Sequence, residues 1–170
     1  MHMFYEITSP KDIIDDVVRR NSINAENKKQ TLIVEYQNDL PRFTVDAKKV
    51  VDVLDNLVSN AIKYTQHGGK IQVTAYKKDD NIEISIIDNG LGMSEEDLKH
   101  AFKRGAKLSA SPTGNEFSSG LGLWIVKRIV DAHNGRVWIK SALGRGSTFV
   151  VSLPIVAKEG AVEFKKLSAN

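Results

Sequence analysis

Asp55-Asn56-Leu57-Val58-Ser59-Asn60-Ala61-Ile62-Lys63-Tyr64-Thr65 decides how this chain is read. Leu57, Val58, Ala61 and Ile62 recur at the spacing of a buried helix face. Extending the period back through Val50, Val53 and Leu54 gives a helix from its N-cap, Asp46, to about Tyr64. On that helix Asp52, Asn56, Asn60 and Lys63 fall at i, i+4, i+8 and i+11, one polar stripe. A purely solvated stripe favours Lys and Glu, which lose little rotamer freedom in a helix. Asparagine is a poor helix former that offers a neutral carbonyl oxygen and an amide donor. Such oxygens suit a hard cation, Mg²⁺, that shares its ligands with substrate phosphates, and a lysine one turn later suits the phosphates. The stripe alone does not decide between solvent and nucleotide.

Outward from this helix the chain alternates between helical and strand periods. Residues 4–8 read as a short edge strand. Ser9 and Pro10 start a helix over 11–26, with Ile13, Ile14, Val17 and Val18 on one face. Residues 32–36 and 43–45 read as strands, joined by a turn at Asp39-Leu40-Pro41. Beyond the central helix, His67-Gly68-Gly69 turns into a strand over 70–77, and Lys78-Asp79-Asp80-Asn81 turns into another over 82–88. Ile71, Val73 and Ala75 alternate with polar residues, as do Ile82, Ile84 and Ile86, which marks a hairpin with one buried face. Ser94 caps a helix over 95–101, a helix follows over 120–133, and strands over 137–140 and 148–153 end the pattern. The expected fold is α+β: a two-layer sandwich of one mixed, mostly antiparallel sheet with helices on one face. The loop of residues 102–119 is long for so compact a domain, and such loops are usually lids or binding loops.

Composition narrows the function. Of 170 residues, 41% are apolar and 26% charged, as in a soluble globular chain. Twenty-four basic against 21 acidic residues leave +3, too mild to argue for nucleic acid. The absence of cysteine rules out disulfides and thiolate metal sites. No apolar run approaches the ~20 residues of a membrane span, so no membrane contact is expected of this stretch and a cytoplasmic location is. Met1-His2-Met3 reads as a cloning scar on a piece of something longer, whose remainder can still be membrane-anchored.

Two glycine-containing segments supply what the stripe lacks. Asp88-Asn89-Gly90-Leu91-Gly92-Met93 leaves a strand end, where glycine permits positive φ or close approach to a ligand. Asp88 there can accept a hydrogen bond from an exocyclic amine such as adenine's, or simply close an Asx turn. Ser118-Ser119-Gly120-Leu121-Gly122-Leu123 precedes a helix, whose free amides and positive dipole end suit an anion. It is neither a Walker A loop nor the dinucleotide fingerprint, since the required Lys and third Gly are missing. Gly144-Arg145-Gly146-Ser147-Thr148 reads as a hairpin turn, with the Thr148 hydroxyl near the floor of any pocket.

In this order the segments resemble the Bergerat-type (GHKL) ATP-binding fold, specifically the catalytic ATP-binding domain of bacterial two-component sensor histidine kinases. Residues 56–65 look like the family's N box, and residues 88–93, 120–123 and 144–149 like its three glycine boxes. The resemblance spans about 4–154, with an ATP lid at about 102–119 and an unassigned tail at 155–170. It implies ATP and Mg²⁺ as ligands. Asn60 would ligate the metal, with Asn56 beside it on metal or phosphate. Lys63 would reach the phosphates and Tyr64 the adenine side. Asp88 would recognise the adenine amine, while Gly90, Gly92 and Met93 shape its wall. Gly120, Leu121, Gly122 and Leu123 would close on the phosphates, and Arg104 or Lys107 would touch the γ-phosphate.

The family's F box carries two aromatics around an Arg, whereas Phe102-Lys103-Arg104-Gly105 has Gly105 in place of the second. Donation of the γ-phosphate to a histidine on a separate dimerisation domain is the leading reading, with a response regulator receiver domain downstream. An ATPase of the same fold needs a general base where Asn56 stands, and an amide accepts no proton at neutral pH; Asp52 or Asp55 would have to substitute, and Asp55 points roughly a quarter-turn away from the stripe. A nucleotide-switched binding module ranks below both. His2, His67, His100 and His133 lack the helical setting of a phosphoacceptor. The chain alone is therefore expected not to autophosphorylate, and His133 reads as a partner of a helix C-terminal dipole.

Overall fold

The structure is a computed structural model that describes residues 1–106 and 121–157. Its order is β1 (Glu6–Thr8), α1 (Pro10–Asn27), β2 (Thr31–Tyr36), β3 (Phe43–Val45), α2 (Ala47–Tyr64), β4 (Lys70–Lys78) and β5 (Asn81–Asp88). There follow α3 (Glu95–His100), α4 (Gly122–Ala132), β6 (Arg136–Ser141) and β7 (Ser147–Pro154). Three helices start where a side chain caps them: Ser9 accepts from Asp12 N, Asp46 from Lys49 N and Ser94 from Asp97 N.

Five strands form one mixed sheet in the order β2-β4-β5-β7-β6. Among the described residues only β2 and β4 run parallel, because α2 carries the chain between them as a crossover. Ile71, Val73 and Ala75 of β4, Ile82, Ile84 and Ile86 of β5, and Phe149, Val151 and Leu153 of β7 share the inner face. Onto it pack α1, α2 and α4 as the second layer, joined in one hydrophobic core. Val50, Val53, Leu54, Leu57, Val58, Ala61 and Ile62 bury the inward side of α2. Each such burial is worth about 1.5–3 kcal/mol relative to exposure.

The two-layer expectation holds, with one correction. Residues 4–8 do not edge the main sheet. β1 pairs antiparallel with β3 in a separate two-stranded sheet. That ribbon is tied down where Phe4 N donates to Asp46 Oδ2 (2.9 Å) and Thr44 N to Ile155 O (2.9 Å).

His133, at the end of α4, differs too. It is buried, its Nδ1 lies 2.8 Å from Ile129 O, and its Nε2 accepts from Asp46 N at 3.1 Å. That pairing assigns the proton to Nδ1, so the ring meets one terminal carbonyl of α4 as a neutral donor. Burial pushes its pKa below the ordinary histidine range, and the expected partner of the helix end is present as a neutral ring on Ile129 O.

Candidate functional site

A cleft opens between α2, the glycine segment after β5, and the first turn of α4. Asn60, Ala61, Tyr64, Asp88, Gly92, Met93, Leu123, Ser147 and Phe149 line it. Its walls are mainly apolar, with a few polar groups among them, the arrangement of a small-molecule site.

At the inner end Asp88 is 8% exposed. Its Oδ1 accepts from Gly90 N at 2.9 Å and Ser147 N at 3.3 Å. Burial pushes the carboxyl up to about 6, and the two backbone N–H bonds only partly offset that. The Asx turn is therefore real, and it leaves Asp88 in the cleft wall. Both readings of the segment hold at once.

The glycines fit because backbones approach closely. A Cβ on Gly92, at φ +72°, would overlap the Ala142 carbonyl. One on Gly146, at φ +80°, would overlap the Asp88 carbonyl. Leu91 N donates to Tyr64 O (3.1 Å) and Gly144 N to Leu91 O (2.9 Å), so the first glycine segment bridges the end of α2 and the β6–β7 turn.

That end of α2 is capped from outside. Lys28 Nζ donates to Ile62 O at 2.9 Å and Lys63 O at 3.3 Å, and Gln30 Nε2 to Ile62 O at 3.0 Å and Thr65 O at 2.8 Å. Buried Lys28 thus puts an ammonium on the negative end of the helix that carries the stripe.

At the outer end Asn60 lines the cleft and Asn56 faces the start of α4. Asn56 Nδ2 donates to Asp52 O (2.8 Å), which commits the amide and turns Oδ1 outward. A Cβ on Gly122 would stand 2.9 Å from that oxygen, so glycine is what lets α4 begin there. Asparagine side chains supply neutral oxygens of the kind a hard cation takes, its other ligands coming from water or phosphate. Among the described residues no group of three or more His, Cys, Asp or Glu is placed to hold an ion.

The remaining expected residues divide. Tyr64, Asp88, Gly92, Met93 and Leu123 line the cleft with Asn60, while Gly90 shapes it from behind, with no room for a Cβ beside Tyr64 O. Lys63 lies half-buried in the last turn of α2, outside the lining residues, and Leu121 is exposed before α4. Lys107 and Gly120 lie outside the described residues, as does the segment between them.

Arg104 packs its guanidinium over the Trp124 ring, 5.0 Å from the centroid, and Arg128 does likewise at 4.9 Å. Gly105, where a second aromatic was expected, has φ +69° and open space around it. A left-handed turn disfavours a bulky side chain there, and Phe102 still packs against the core.

Thr148 is a correction. Successive strand residues face opposite sides of a sheet, and Ser147 and Phe149 line the cleft, so Thr148 between them points away. Ser147 is the hydroxyl at the floor. Phe149, Val151 and Leu153 alternate apolar in the sequence, and that parity carried back to Ser147 was the available signal.

Residues 45–157 match the family model described as histidine kinase-, DNA gyrase B-, and HSP90-like ATPase. The chain is 40% identical over 130 residues to the adaptive-response sensory kinase SasA of Synechococcus elongatus, covering 76% of this chain and 33% of that protein. It is 36% identical over 148 residues to the sensor-like histidine kinase SenX3 of Mycobacterium bovis, covering 84% and 34%. The chain thus spans about a third of the length of these curated relatives. Among solved structures, the catalytic domain of histidine kinase ThkA superposes with TM-score 0.78 at 25% identity, over 92% of this chain and 97% of that one.

Proposed function

The chain belongs to the histidine kinase-, DNA gyrase B-, and HSP90-like ATPase family, on its sensor histidine kinase branch, and we propose that it binds Mg-ATP in the α2–α4 cleft and presents the γ-phosphate to a histidine on a separate helical domain. The observation that carries this reading is the polarity of the cleft. Asn60 and buried Asp88 are polar residues of an otherwise mainly apolar lining, and the Asn56 oxygen faces Gly122 at the start of α4 from the same helix stripe as Asn60.

In this reading Asp88 accepts from the adenine amine while Tyr64, Gly92, Met93, Leu123 and Phe149 enclose the base. Asn60 supplies an oxygen to Mg²⁺, and Asn56 supplies another to metal or phosphate. The ion draws charge from the transferring phosphate, as is general in phosphoryl transfer. Lys63, Lys107 and Arg104 meet the phosphates, Arg104 after leaving Trp124. The backbone of Gly120, Leu121 and Gly122 does so with the positive end of α4. Catalysis is then positioning and electrostatics rather than proton abstraction.

Two contacts support transfer over hydrolysis. Asn56 is an amide whose nitrogen is committed to Asp52 O, and Asp55 is turned to α1, where its Oδ1 accepts from Asn21 Nδ2 at 2.8 Å. Neither is a base at the cleft. No helix of the described residues is long and apolar enough to cross a membrane, and the fragment works on the cytoplasmic side, where ATP is. A response regulator receiver domain accepts the phosphoryl group from the partner histidine.

Calorimetric titration with a non-hydrolysable ATP analogue, with and without Mg²⁺, tests the site. Saturable binding that tightens with Mg²⁺ supports it, and absence of binding removes it. Incubation with labelled ATP and the parent's dimerisation domain tests transfer: label belongs on that domain, and none on this chain alone.

A further inference from the structure

Ser141, the last residue of β6, is not among the residues lining the cleft, yet its hydroxyl is the junction of two segments that are. Met93 N lies 2.8 Å from Ser141 Oγ, Gly146 O 2.9 Å from it and Ser147 Oγ 2.7 Å from it. A serine hydroxyl has one proton and two lone pairs. The Met93 N–H can only donate and the Gly146 carbonyl can only accept. Met93 therefore takes one lone pair and Gly146 takes the proton. The contact that remains is satisfied only if Ser147 donates its own proton to Ser141. That leaves the Ser147 oxygen facing the cleft with lone pairs and no proton, next to the Asp88 carboxylate that its own backbone N–H engages.

We propose that Ser141 is a positioning residue that fixes the direction of the Ser147 hydroxyl, so that the inner end of the cleft presents only hydrogen-bond acceptors to a purine base. The inference rests on the reading of Asp88 as the base-recognising group. A purine with a 6-amino group offers donors to Asp88 and Ser147. A 6-oxo purine turns an acceptor oxygen toward them and keeps only its N1–H as a donor, so at least one acceptor receives no hydrogen from the base, which is the costly arrangement for buried polar groups. Discrimination at position 6 thus depends on a hydroxyl that does not itself touch the base. Without Ser141 the Ser147 O–H is released to rotate and donate to a 6-oxo group.

The test is calorimetric binding of ATP and inosine triphosphate, which differ at position 6 and its neighbouring ring proton, in Mg²⁺ to the intact chain. Ser141→Ala is expected to narrow the ratio of the two dissociation constants about tenfold, the equivalent of one hydrogen bond gained or lost. Ser141→Thr keeps the hydroxyl and holds the wild-type ratio within about twofold. Ser147→Ala narrows the ratio on its own, and adding Ser141→Ala to it changes the ratio no further, because no hydroxyl is left to turn. Equal weakening of both nucleotides by Ser141→Ala overturns the proposal, as does further narrowing in the Ser147→Ala background. Should Ser141→Ala not fold, Ser147→Ala decides, since an unchanged ratio there means that Ser147 does not read position 6. A wild-type chain that binds neither nucleotide defeats the ATP reading and this proposal together. A chain that binds ATP with an unmoved ratio defeats this proposal alone.

Discussion

Ser147 N donates to Asp88 Oδ1 at 3.3 Å across the β5–β7 ladder, where the two residues are direct register partners. The last strand of the sheet thereby holds the carboxylate that the cleft turns on. Both residues are buried, and Gly90 N of the flanking loop holds the same oxygen at 2.9 Å, so sheet and loop fix the carboxylate together.

Asp88→Asn separates recognition from folding. The variant keeps an oxygen to accept from Gly90 and Ser147, but turns an amide donor toward a base that also donates. The circular dichroism spectrum should stay wild type, while ATP-analogue affinity falls by about 100-fold or more. Retained affinity would remove Asp88 from recognition.

The acid side of the pH profile follows from the same carboxyl. Its pKa is about 6 in the fold against an ordinary 3.8. The folded chain therefore holds this proton more tightly than the unfolded one. The stability it contributes is fully present below 3.8 and is lost as pH rises through about 6. Asp88→Asn should accordingly raise the thermal midpoint at pH 7.5, by about 2–4 °C for each kcal/mol relieved. That advantage should shrink to nothing near pH 4. Nucleotide binding has the opposite sign, because it needs the charged form, so analogue affinity should weaken as pH falls below 6. A flat profile between pH 5 and 7.5 would contradict both statements.

Asn60→Ala should leave Mg²⁺-free analogue binding within about threefold of wild type and erase the tightening that Mg²⁺ brings. Comparing titrations in Mg²⁺ and in EDTA measures the two parts separately. Equal loss in both media would mean that Asn60 supports the base pocket rather than an ion.

Two glycines of the same handedness should behave differently. Gly92 and Gly105 both have positive φ, but only Gly92 has a carbonyl, that of Ala142, in the way of a Cβ. Gly105→Ala should cost about 1 kcal/mol in urea unfolding, the strain of a left-handed alanine. Gly92→Ala should cost more, and should loosen the analogue as well, because the Leu91–Gly144 link moves with it. Equal costs would mean that the Ala142 contact gives way freely.

Much of this architecture was legible from period and punctuation. Ser9, Asp46 and Ser94 cap the helices they precede, and the Ile82, Ile84 and Ile86 face points where alternation put it. Of the polar stripe, Asn60 lines the cleft and Asn56 and Lys63 lie half-buried beside it, while Asp52 stands in solvent, so the stripe divides between the two readings its composition left open. What escaped was of two kinds. Strand parity at Ser147 was readable but was lost by counting the hydroxyl one residue late. The other kind is not local. The pairing of β1 with β3, the Arg104–Trp124 stack and the proton position on His133 each depend on residues far apart in the chain. No period records them.

The strand order has a consequence for biosynthesis. Among the described residues β7 is the last strand along the chain, yet it lies inside the sheet, between β5 and β6. On the ribosome, β5 waits with one edge open and Asp88 without its Ser147 N–H until residues 147–154 have emerged. From the emergence of Asp88 to that of Ser147 a growing chain therefore carries an apolar, pairing-competent edge, the state in which sheets aggregate. A premature stop ahead of Ser147 leaves that edge open for good, with the cleft lacking its floor. Nucleotide added during translation has no finished site to bind, so ligand rescue acts only on chains that have passed Pro154.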